Sequence, residues 1–201
     1  MAIKNELSIL TKAEQIDLYS PPILAIEEQR LYFTLNDHEL TVCKSIRQRP
    51  HRCYFIALLG YFKTKPVILD VTFSKMMDDL TYIAINISGG KKLRPFTPSQ
   101  KQKERLYIKV MKILGYQKWD ENLHSTPLMN HLVIIGNAWL EPRYLFDAVI
   151  EYLATHKIAI PKYSVLQRLI SRTIQQVRKE LTSKLRTQLS PDLKAFLDTV
   201  I

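Results

Sequence analysis

Glycine and cysteine are scarce in this 201-residue chain, with five of the first and two of the second. Five glycines leave little material for loops that cradle phosphate, and no Gly-rich phosphate loop, Gly-x-Ser-x-Gly elbow or His-Glu-x-x-His pair occurs. No catalytic residue is expected. The acidic pairs Asp78-Asp79 and Asp120-Glu121 could hold Mg²⁺ in principle, but surface and helix-cap roles explain such pairs more often. Cys43 and Cys53 form no Cys-x-x-Cys pair, and their spacing with His38 and His51 matches no usual zinc motif, so both are expected as buried thiols. Neither a metal nor a cofactor is expected. Long apolar runs are missing too: the longest, Tyr54 to Phe62 and His131 to Leu140, fall well short of the roughly 18–20 residues of a membrane span. The start, Met-Ala-Ile-Lys-Asn-Glu-Leu, lacks the apolar stretch of a secretory signal, which makes a cytoplasmic location the expectation.

Basic charge, by contrast, is abundant and segregated. The net charge is +10, from 29 basic and 19 acidic residues. Residues 44–65 hold six basic side chains (Lys44, Arg47, Arg49, Arg52, Lys63, Lys65) and no acid. Residues 91–105 hold Lys91, Lys92, Arg94, Lys101, Lys103 and Arg105 against Glu104 alone. Residues 161–186 hold Lys162, Arg168, Arg172, Arg178, Lys179, Lys184 and Arg186 against Glu180 alone. The remainder carries ten basic and seventeen acidic residues and is therefore acidic. Concentrated basic segments on an acidic body suit a polyanion ligand, because each neutralised phosphate releases a condensed counterion. Three solvated helix faces without a ligand would give the same counts.

The local signals are almost all helical. Thr11 with Glu14 and Asn36 with Glu39 read as capping boxes, and Pro21-Pro22 must end the first helix. A strongly apolar helix is predicted from about His51, and Ser74 is expected to cap another through Met76, Leu80 and Ala84. Gly89-Gly90 and the lysines after it suggest a boundary between subdomains at 1–88 and 89–201. Beyond it, Thr97 as N-cap with Pro98 and Gln100 predicts a helix that Gly115 ends, Thr126-Pro127 opens another, and Pro142 a third. Residues 157–161 read as a short extended piece. Ser164 is expected to cap a long helix with the apolar stripe Leu166, Ile170, Ile174, Val177, Leu181 and Leu185, and Ser190-Pro191 a final short one. The predicted fold is all-α, in two helical subdomains with helix-turn-helix-like units.

Two helix, connection, helix segments place basic residues where a recognition helix would begin. In the first, Arg47, Arg49, His51 and Arg52 cluster at a helix N-terminus, where main-chain amides also favour phosphate. In the second, Ser164, Gln167, Arg168, Ser171, Arg172, Gln175 and Arg178 lie opposite the apolar stripe of the long helix. Arginine, glutamine and serine are side chains that read base edges in a major groove. A solvated amphipathic helix is the plain alternative.

The stretches Tyr32 to Leu40 and Arg47 to Leu59, the basic apolar helix Arg105 to Tyr116, and above all Ile160-Pro161-Lys162-Tyr163-Ser164-Val165-Leu166-Gln167-Arg168-Leu169 resemble the N-terminal region of the Tn-three family of bacterial replicative transposases. The last is similar to that family's Leu-Pro-x-x-Ser-x-Leu-x-Arg-Leu signature, and Ser190-Pro191-Asp192-Leu193 to its next helix start. Residues 67–90 have no counterpart in the pattern. The resemblance implies a pair of helical domains that bind the transposon's terminal inverted repeats in double-stranded DNA, acting with the rest of a transposase and a second transposase copy in a bacterial nucleoid. By motif it carries over Arg47, Arg49, His51 and Arg52 in the first unit and Lys162, Tyr163, Ser164, Gln167, Arg168 and Arg172 in the second. The family's Asp-Asp-Glu catalytic domain has no counterpart in this sequence, so no enzymatic function carries over. A helical module for RNA, nonspecific DNA or an acidic partner protein is the alternative.

Overall fold

The computed structural model describes residues 7–188, and the helix expected from Ser190 lies outside them. The fold is all-α, with nine α-helices and no strand among the described residues. These are α1 (Lys12–Tyr19), α2 (Ile26–Phe33), α3 (Asp37–Lys44), α4 (Arg49–Thr64), α5 (Met77–Tyr82), α6 (Gln100–Leu114), α7 (Glu121–Gly136), α8 (Pro142–Thr155) and α9 (Tyr163–Gln188). They fall into two compact units. The larger comprises residues 10–119 and 153–161; the smaller comprises 120–152 and 162–188 with residues 7–9.

In the larger unit α4 is the central element. Ten consecutive residues, Cys53 to Phe62, are buried, so the helix is covered on every side and α2, α3, α5 and α6 pack around it. Pro50 sits in its first turn, where a missing N–H costs nothing, and the chain leaves the helix at Lys65, held extended by the proline that follows (φ −139°, ψ 115°). Gly60 lets α2 approach: a Cβ there would lie 2.5 Å from a ring carbon of the fully buried Phe33. The hydroxyls of Tyr54 and Tyr107 tie the non-helical segment beyond α4 down, donating to the carbonyls of Val71 and Leu69 at 3.0 Å each. Residues 157–161 are extended as expected and bridge to Val67 and Gln117 in parallel.

Several boundaries differ from the sequence reading. Ser99, two residues later than Thr97, caps α6, because its hydroxyl accepts from Gln102 N while Gln102 reaches back to Ser99 N. Asp120 opens α7 six residues before Thr126, accepting from Asn122 N and Leu123 N, so Pro127 lies inside the helix. Ser74 begins a 3₁₀ turn, α5 is only six residues long, and a π turn over Ile83–Ile87 follows it. Gly89-Gly90, expected at a domain boundary, lies within the larger unit, where the Arg49 guanidinium bonds the carbonyls of Ala84 and Lys91 on either side of it.

A buried carboxyl adds a pH dependence to this unit. Asp79 accepts hydrogen bonds from the Tyr61 hydroxyl and, at 2.7 Å, from the Gln29 amide. Burial pushes its pKa above the usual carboxylate range, with Asp78 adding to the shift and the two hydrogen bonds opposing it. A carboxyl whose pKa is raised by folding stabilises the fold below its unfolded value, and that contribution is lost as pH rises through the folded value. Asp79→Asn, which cannot ionise, should therefore gain in melting temperature relative to the native chain as pH increases from about 4 towards neutrality. Thermal unfolding of both proteins across that range checks it; a difference that stays constant with pH contradicts it.

In the smaller unit α7 packs on α9, with Gly136 against Val177. Leu128 and Leu132 of α7 meet the buried stripe Leu166, Leu169, Ile170, Ile174 and Val177 of α9 in one apolar core. The N-terminal residues join here: Gln167 donates its amide to Leu7 O at 2.7 Å, and Ile9 N donates to the Tyr163 hydroxyl at 3.1 Å. Trp139 lies past the end of α7 and is 65% exposed. Leu181 and Leu185 continue the α9 stripe but are exposed, because every residue from 181 to 188 stands clear of the core.

Candidate nucleic-acid interface

The first group of predicted contacts is split by the fold. Arg47, in the connection between α3 and α4, is exposed. Arg49 is not available in the same way: its Nη2 donates to Ala84 O at 3.0 Å and Lys91 O at 2.8 Å, and its Nε to Ser88 Oγ at 3.3 Å. A Cβ at Gly90 would fall 2.5 Å from that Nη2, so the glycine makes room for the arginine. His51 is half-buried edge-on to the Phe96 ring, 5.7 Å between centroids, and Phe96 also meets Tyr54 and Phe73. Arg52 is half-buried, with its Nε enclosed and unbonded. Its charge opposes the rise that burial imposes on the Cys43 and Cys53 thiols, both of which are free and buried as expected. Because α4 is buried all round past its first turn, it cannot lie in a groove as a reading helix. What solvent contact it keeps comes from half-buried residues at its two ends.

The loop before α6 and that helix's first turn are different. Lys91, Lys92, Arg94 and Lys101 are exposed, and none has an ion-pair partner among the described residues. Three other cations of the larger unit are neutralised internally: Lys63 pairs with buried Glu39 at 2.8 Å, Lys65 with Asp17 at 3.3 Å and Lys103 with Asp70 at 2.8 Å. The sequence windows therefore overstate the free charge of residues 44–65, where Arg49, Lys63 and Lys65 are engaged, more than that of 91–105, where Lys103 is.

In the smaller unit the polar face of α9 takes shape as predicted in part. Ser164, Arg168, Arg172, Gln175 and Lys179 are exposed, and at 100° per residue they line up along one side, with no acid on the helix before Glu180. Lys162 is exposed just ahead of them, and Ser171 is half-buried at their edge. Tyr163 and Gln167 face inward to the N-terminal segment through the bonds described above. Arg168 is engaged as well: its Nη2 donates to both carboxylate oxygens of Glu121, at 2.9 and 2.7 Å.

A family model described as a domain of unknown function, DUF4158, matches residues 9–173. The chain belongs to the DUF4158 family. No curated protein matches it. The DUF4158 match takes in both units and ends inside α9, so it includes Arg47 through Arg172 among the predicted contacts and leaves Gln175 beyond it.

Within this DUF4158 domain no group of three or more His, Cys, Asp or Glu side chains is placed to hold a metal ion among the described residues. The two acidic pairs take structural positions, Asp120 as a helix cap and Asp79 in the core. No described helix is long and apolar enough to cross a membrane. The residue that sequence reasoning missed is Glu121, whose acid-pair signal was visible but whose partner, 47 positions away, was not.

Proposed function

We propose that this chain is a duplex-DNA-binding module that recognises transposon terminal inverted repeats as the N-terminal DNA-binding part of a Tn-three family transposase. The observation that carries the reading is the face of α9. Its 26 residues, about 39 Å of helix, present Ser164, Arg168, Arg172 and Gln175 over the first turns and further cations beyond. Arginine pairs with guanine O6 and N7, glutamine with adenine N6 and N7, and a helix entering the major groove uses its N-terminal turns to do so. The exposed cations Lys91, Lys92, Arg94 and Lys101 suit backbone phosphates, which position a protein without reading sequence. DNA bound in this way would be handed to a catalytic domain and a second transposase copy for the chemistry.

The test is equilibrium binding of the full chain to a duplex carrying the inverted repeat that flanks its gene, with excess random duplex as competitor. The specific complex should persist in the excess, and Arg172→Ala should cost about 1–3 kcal/mol on the repeat and much less on random DNA. Displacement by an equal amount of random duplex would instead favour a nonspecific polyanion binder.

A further inference from the structure

We infer that Glu121 and Arg168 act together as a base-pair reader that favours guanine paired with cytosine and turns away a bare phosphate, an inference that rests on the duplex-DNA reading above. Arg168 stands near the head of the exposed stripe of α9, in the turns that would enter a groove. Its Nη2 is shared between the two oxygens of Glu121 at 2.9 and 2.7 Å, while Nη1 and Nε have no protein partner among the described residues. The guanidinium is thus held in one direction with part of its hydrogen-bonding edge still open. The carboxylate is itself held in place: Glu121 is the first residue of α7, and the Asp120 side chain fixes that turn by accepting from Asn122 N at 2.9 Å and Leu123 N at 3.4 Å.

The two groups differ in what they can meet. Guanine offers the acceptors O6 and N7 to Arg168, and its paired cytosine offers an N4 donor that a carboxylate can accept. A phosphate offers only acceptors and negative charge, so beside Glu121 it meets repulsion over the same few ångströms at which Arg168 attracts it. An unpaired arginine would bind phosphate and guanine alike. With Glu121 beside it, the generic contact is weakened and the base contact is kept. Arg172, one turn further on and exposed without an ion-pair partner among the described residues, has no such constraint.

The experiment uses the full chain as native protein, Glu121→Gln, Glu121→Ala and Arg168→Ala. Each is incubated with a duplex pool carrying a randomised central segment, and the bound fraction is sequenced; each is also titrated with a duplex of A·T pairs only. The native chain should enrich G·C at a defined position, and Glu121→Ala and Arg168→Ala should both lose that enrichment at the same position. On the A·T duplex both Glu121 variants should bind about 3- to 10-fold more tightly, with a salt slope steeper by about one, since Arg168 is released to a phosphate. Unchanged circular dichroism confirms that the exposed substitutions leave the helices intact. An unaltered base preference in Glu121→Ala, or weaker binding of the A·T duplex by the Glu121 variants, overturns the inference while the DNA reading stands. If the native chain binds neither pool nor A·T duplex, both are overturned.

Discussion

Raising the salt from 50 to 200 mM is expected to weaken duplex binding by this chain by roughly 10³ to 10⁵, the loss that follows when about 6 to 10 phosphates are neutralised. The number of contacts can be argued from the side chains left open by the fold. Lys63, Lys65, Lys103 and Arg168 are ion-paired, and Arg49 is bonded to main chain, so these contribute little. Exposed and without ion pairs among the described residues are, besides Arg47 and other scattered lysines, Lys91, Lys92, Arg94, Lys101 and Arg105 in the larger unit, and Lys162, Arg172, Arg178 and Lys179 in the smaller. Both units must touch DNA for the full effect. If only one does, the logarithm of the loss is about halved, and neutralising the other unit changes nothing. Replacing Lys91, Lys92 and Arg94 together by Ala, and separately Arg172 and Lys179, should lower the slope of log K against log salt by about one per contact removed. A binding constant that is flat in salt would remove phosphate contact as the driving force.

Phe55→Ala is expected to destabilise the larger unit by about 3–5 kcal/mol, against the roughly 5–15 that hold a domain folded. Phe55 is wholly buried within the ten-residue enclosed run of α4, where no face of the helix reaches solvent, so its truncation leaves a cavity in the core. Ile23→Ala is the matched control, since Ile23 is fully exposed and its loss should stay within about 0.5 kcal/mol. Trp119 lies in the larger unit and Trp139 in the smaller, so single-tryptophan variants report on each in urea unfolding. The Phe55 substitution should shift the Trp119 transition to lower urea. If Phe55→Ala and Ile23→Ala shift it equally, α4 is not the core element that its burial indicates.

How much of this was legible in the sequence depends on how local each cause is. Capping boxes at Thr11 and Asn36 are contained in four residues, and both form. The helix α2 was missed because Ala25 offers no capping side chain, only Glu28 reaching back to its N–H, and because Ile26 and Leu31 are exposed where an apolar periodicity would bury them. The enclosure of α4 was readable: Tyr54 to Phe62 is the longest apolar run in the chain, and a helix apolar on all sides belongs in a core. That signal argued against a reading helix at His51. The polar face of α9 was legible from its period, whereas the engagement of Arg168 with Glu121 and of Arg49 with Ala84 and Lys91 depends on contacts across 47, 35 and 42 residues that no local pattern encodes.

Arg49 has a consequence for how the basic loop meets any ligand. By bonding main-chain carbonyls on both sides of Gly89-Gly90, it draws residues 84–91 into one arrangement when the chain folds. Conformational entropy that a slack, glycine-containing loop would lose on association has then already been lost, and each ordered lysine-rich side chain meets its partner with less left to freeze. An arginine that never touches the ligand would in this way strengthen the grip of Lys91, Lys92 and Arg94, and a shortened side chain at position 49 would be felt as slower, looser engagement by neighbours that are themselves unchanged.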